Sequence, residues 1–157
     1  MYFLIVISLM LVLPAGSILL DLRVFKSSMT ILFLAGKWFV FWSVGARLFL
    51  AGLRQAIRPR FTSETIFGIK SEEPLHIVQE LGFANISMGA LGIVSILSTR
   101  WIMPAAIAGC LFYGLAGVRH SVQSHRNKFQ NAAMVSDLFV FAVLLVFVID
   151  QLMLPLA

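Results

Sequence analysis

Few side chains in this chain could carry chemistry. Its 157 residues include three histidines (His76, His120 and His125), seven carboxylates and one cysteine, Cys110. His76 and Glu80 stand four apart, which puts them on one face of a helix. Arg47 and Arg54 stand seven apart, as do Tyr113 and His120, again one face. Glu80 falls about one and a half turns inside an apolar stretch, where a carboxylate needs a partner. Arg47 or Arg54 is its natural partner. Asp137 opens a later apolar stretch, where its charge would complement a helix N-terminus. With Asn85, these residues form the candidate cluster: Glu80, His76, Arg54, Arg47, His120, Asp137, Tyr113 and Asn85.

Two chemistries suit such a cluster. One is a set of ion pairs that locks helices together. The other is a polar site for a ligand or a proton. A bis-histidine haem site or a His/Glu metal site on His76 and His120 is conceivable, but neither spacing is diagnostic. No cysteine pair or second carboxylate cluster supports it. No cofactor is therefore expected. His125 sits in a polar loop and reads as solvated. The sequence has no Ser-His-Asp arrangement, phosphate-binding glycine loop or zinc-helix motif. The reading leans away from an enzyme. A single cysteine excludes an intramolecular disulfide, and Cys110 reads as a packing residue.

The elements that position these residues follow from composition. Hydrophobic types make up 60% of the chain and charged types 12%, with a mean hydropathy of +0.96. Soluble domains run at about 45–50% apolar and about 25% charged. Disordered chains need low hydrophobicity. An all-α polytopic membrane bundle, one domain over 1–157, is what remains. The net charge of +5 is read as basic loops on anionic lipid, since no nucleic-acid motif accompanies it.

A membrane-spanning helix needs about 20 mostly apolar residues. Five stretches qualify: about 2–20, 29–51, 75–98, 102–119 and 134–154. The first lacks the basic start of a signal peptide, so it is read as a retained helix kinked at Pro14. The second is weakest because it contains Lys37 and Arg47. Both can snorkel, and Trp38, Phe39, Trp42 and Phe49 offset their cost; a short interfacial helix is the alternative.

Loop charge sets the orientation. One side holds Arg54, Arg58, Arg60, Lys70, Arg119, Arg126 and Lys128, seven in all; the other holds Arg23, Lys26 and Arg100, three. The positive-inside rule makes the first side, with the N-terminus, cytoplasmic. The candidate cluster lies toward that side. The loop from Gly52 to Pro74 carries Phe61, Ile66, Phe67 and Ile69, so Phe61 to Phe67 reads as a short segment in the interface or folded back on the bundle. Thr62-Ser63-Glu64 could cap it. Ser71 would cap the third helix, with Glu72 and Glu73 in its first turn. Gly82, Gly89 and Gly92 on one helix, and Ala105, Gly109, Gly114 and Gly117 on the next, read as close-packing surfaces.

Several of these stretches also resemble a known superfamily. The run Ala51-Gly52-Leu53-Arg54-Gln55-Ala56-Ile57-Arg58-Pro59-Arg60-Phe61 resembles the Gly…His-x-x-x-Pro…(Phe/Tyr) turn of DoxX-like membrane proteins. Glu80-Leu81-Gly82-Phe83-Ala84-Asn85 with Gly89 and Gly92, Tyr113 to His120, and Ser136-Asp137-Leu138 resemble signatures of an uncharacterised bacterial branch with that layout. The likeness spans about residues 45–145. It implies a four-helix DoxX-like core preceded by an N-terminal transmembrane helix. Some superfamily members are accessory subunits of membrane quinone oxidoreductases. Gln55 follows Arg54 where histidine is frequent, so no histidine site carries over, and the resemblance supplies no catalytic residue.

The function expected is that of a bacterial inner-membrane protein with a polar pocket near its cytoplasmic face, binding or moving a small amphipathic ligand. The alternative is an accessory subunit or small redox enzyme using quinone or haem. Expected partners are membrane lipids, that ligand, and a second copy or another membrane protein.

Overall fold

Five long apolar helices run through the chain. A computed structural model describes residues 2–68, 71–72 and 74–153, and no strand occurs among them. The helices are α1 (Phe3–Arg23), α2 (Ile31–Ile57), α3 (Leu75–Val94), α4 (Thr99–Ser121) and α5 (Lys128–Met153), each long and apolar enough to cross a membrane. The fold is an all-α bundle. Lys70, Ile69, Glu73 and residue 154 of the fifth expected stretch fall outside the described residues, as do the side chains of Ile66 and Phe67.

α2 is the central element; it touches each of the other four helices. It starts where Thr30 caps it, accepting from the Phe33 N–H at 3.2 Å. It crosses the bundle whole, which removes the interfacial alternative. Lys37 does not snorkel: Asp21 of α1 accepts from its Nζ at 2.9 Å and from the Trp38 Nε1–H at 2.8 Å. Trp42 donates to Ser17 at 3.0 Å, a second tie between α1 and α2. α1 opens into a π-helical stretch, Ser8–Val12, just before Pro14. A proline ring crowds the carbonyl four residues back, here Met10, and the wider turns give it room.

α3 packs on α2 through glycine. A Cβ on Gly92 would sit 2.5 Å from the Gly45 nitrogen, and one on Gly52 would sit 2.6 Å from the Gly82 carbonyl oxygen. A Cβ on Gly89 would strike the Phe49 backbone. These backbones are therefore in contact, as the glycine spacing predicts. Gly114 and Gly117 of α4 receive Phe141 and Leu138 of α5 in the same way, and Gly109 receives Val44 of α2. Between these interfaces lies a core that includes Leu34, Val40, Val44, Tyr113, Val140, Leu144 and Phe147.

The loop after α2 does fold back as a helical segment, Phe61–Phe67. Thr62 and Ser63 are buried within it rather than capping it. Nor does Ser71 cap α3. That helix begins at Leu75 behind Pro74, and Glu72 turns away to pair with Arg60.

Candidate functional site

The lower halves of the helices enclose a cavity of about 490 Å³. It lies where α1, α3 and α5 begin and α2 and α4 end, the end of the bundle at which the charge pattern gathers polar residues. α1 contributes Ile5, Val6 and Leu9; α2 contributes Arg47 to Gln55 along one side; Phe61 and Thr62 of the folded-back segment reach in. α3 adds Leu81 and Asn85, α4 adds Phe112, Arg119 and His120, and α5 adds Asp137. The wall is mainly apolar, with a few polar groups at set places, which is the common composition of a small-molecule site.

At its inner end Arg47 Nη2 lies 3.1 Å from Asp137 Oδ1, and the two side chains are 14% and 6% exposed. Tyr113, fully buried, has the Arg47 guanidinium 5.2 Å from its ring centroid and donates its hydroxyl proton to the Ser43 carbonyl. Ser43 belongs to a π-helical stretch, Val40–Arg47, inside α2. Interruptions of this kind are frequent at functional sites. Here the stretch ends at Arg47, the residue that carries the ion pair.

α2 and α3 meet across the cavity through an amide pair. Asn85 donates to Gln55 Oε1 at 2.7 Å, and both are buried. Among the described residues, Asn85 Oδ1 has no hydrogen-bond partner, and neither does His120 Nδ1, although both atoms are buried. Nearer the surface, Arg54 lays its guanidinium 3.4 Å from the centroid of Phe61. Arg119, also exposed, lines the same cavity from α4.

Of the residues expected in the cluster, the structure brings Arg47, Arg54, Asn85, His120 and Asp137 to this cavity, with Tyr113 behind them. It does not bring His76 or Glu80; both are exposed on α3. The reason is angular. The buried line of α3 runs Val78, Gly82, Asn85, Gly89, Gly92, and at about 100° per residue Glu80 and His76 fall on the opposite face. The partner of Arg47 is therefore Asp137, not Glu80. Asp137 in turn is no helix-opening charge. α5 begins at Lys128, which sets Asp137 about two and a half turns inside. His76 and His120 do not meet at the cavity, and no group of three or more His, Cys, Asp or Glu gathers among the described residues.

Gln55, Thr62 and Arg119 were not anticipated. Gln55 sits inside the Arg54–Phe61 run, but a neutral amide on an apolar helix gives little signal until its partner Asn85 is seen. Asp21, at the other end of the bundle, was missed as the partner of Lys37.

The model of a family of unknown function, DUF6790, matches residues 1–154, so the chain belongs to that family. No curated protein and no solved structure matches it.

Proposed function

We propose that this member of the DUF6790 family is a non-enzymatic protein of the bacterial inner membrane, whose cavity binds or passes a small amphipathic ligand near the cytoplasmic face. The observation that carries the reading is a largely apolar cavity of about 490 Å³ with a few polar side chains in its lining, among them Arg54, Asn85, Arg119 and His120. A molecule with a polar head and an apolar body would meet those side chains and cover the walls. The cytoplasmic placement rests on the seven-to-three asymmetry of basic loop residues counted from Arg54 to Lys128 against Arg23, Lys26 and Arg100. Kinship with DoxX-like bundles, on the motifs at 51–61 and 80–92, belongs to the same proposal.

The test is mass spectrometry of what copurifies with the protein in mild detergent, compared with Ala116→Trp. Ala116 lines the cavity, and an indole there would obstruct it. The reading expects one class of amphiphile enriched in the wild type and lost in the variant. Identical spectra would refute it. A Soret band in the absorption spectrum, or quinone as the enriched species, would instead favour the redox alternative.

A further inference from the structure

We infer that the ligand is an anionic amphiphile whose head carries a phosphate or carboxylate. The inference rests on the cavity being a ligand site, and two features of the cavity lead to it.

The first is charge. Asp137 is the cavity's one carboxylate, and Arg47 already pairs with it. Arg54 and Arg119 remain, and neither has a carboxylate partner among the described residues. Arg54 lies over the Phe61 ring at 3.4 Å. Stacking occupies the face of a guanidinium and leaves its in-plane N–H donors directed outward, the arrangement that takes an oxyanion.

The second is the direction of the apolar wall. Ile5 and Leu50 line the cavity yet are 41% and 52% exposed. The wall thus continues onto the apolar outer surface of α1 and α2, which a bilayer would cover. Arg54 and Arg119 mark the polar end. A molecule laid along this axis has its head at the arginines and its chain leaving sideways into lipid.

Phosphatidylglycerol meets these requirements and phosphatidylcholine of the same chains does not. The experiment is native mass spectrometry of the full chain, delipidated and then given dioleoyl-phosphatidylglycerol, dioleoyl-phosphatidylcholine or glycerol phosphate, with thermal stability read in parallel. The wild type should retain one phosphatidylglycerol about tenfold more than phosphatidylcholine, a difference of about 1.4 kcal/mol. Glycerol phosphate alone should neither be retained nor raise the melting temperature. Arg54→Gln combined with Arg119→Gln should abolish the preference and keep the unliganded melting temperature, since both side chains are exposed. Equal retention of the two lipids, lost in Ala116→Trp, would overturn the anionic assignment while the cavity reading stands. Retention of neither lipid would overturn both. Stabilisation by glycerol phosphate equal to that by the lipid would make the ligand a soluble anion and overturn the amphiphile.

Discussion

Arg47 and Asp137, 90 residues apart, form an ion pair at 3.1 Å between α2 and α5, at the inner end of the cavity. Both side chains are largely removed from solvent, so the pair is costly to break and less costly to lose entirely.

The first prediction follows directly. Asp137→Asn leaves the Arg47 charge with one anionic partner fewer and should destabilise the protein by about 3–5 kcal/mol. Arg47→Met with Asp137→Leu should recover much of that loss. Thermal unfolding in detergent measures it. A double variant no better than the worse single one would show that the pair is not the source of the cost.

Glycine contacts give the second. Gly89→Leu and Gly92→Leu would each drive a side chain into the backbone of α2. Overpacking costs about 1–3 kcal/mol, and more where backbone must move. Gly16→Ala, which meets nothing within 4 Å, is the control and should leave the melting temperature nearly unchanged. Equal melting temperatures for all three would mean that α2 and α3 do not touch as described.

Two other ion pairs among the described residues should differ from each other. Lys37 and Asp21 are 24% and 12% exposed, whereas Arg60 and Glu72 are 63% and 76% exposed. Asp21→Asn should therefore cost about 1–3 kcal/mol, through the lost Lys37 and Trp38 bonds. Glu72→Gln should cost less than about 1 kcal/mol. High salt should weaken only the Arg60–Glu72 pair appreciably. A reversed order would contradict the burial of the α1–α2 clamp.

A fourth prediction separates the two carboxylates that the sequence makes look alike. Glu80 is exposed and Asp137 is buried. Glu80→Gln should change stability by less than about 0.5 kcal/mol, as surface substitutions do. A loss comparable with that of Asp137→Asn would place Glu80 inside the bundle after all.

The helices and their close-packing faces were legible because they are written in composition and spacing. Five uncharged or nearly uncharged stretches define the spans, and Gly82, Gly89 and Gly92 mark the α3 surface that meets α2. The site was legible at the level of depth. Arg47, Arg54, His120 and Asp137 were assigned to the correct end because the spans alternate in direction. Angle was the failure. The same glycines that identify the packed face of α3 put Glu80 and His76 about 180° away from it, and weighing depth over face paired Glu80 with arginines it does not meet. Asp137 was misjudged because α5 starts six residues before the expected boundary of 134. The polar loop residues Lys128 to Asn131 gave no sign that they were already helical. Gln55 and Asn85 could not be paired from sequence, since their meeting depends on the register of α2 on α3, which glycine contacts set.

The central claim is that the cavity between Arg54, Arg119 and Asn85 holds an amphiphile. An experimental density map of the protein, taken from its native membrane without exchange into synthetic lipid, tests it most directly. The account predicts elongated non-protein density with its head at Arg54 and Arg119 and a tail leaving past Ile5 and Leu50. A cavity collapsed by side chains, or one holding ordered water alone, would contradict it.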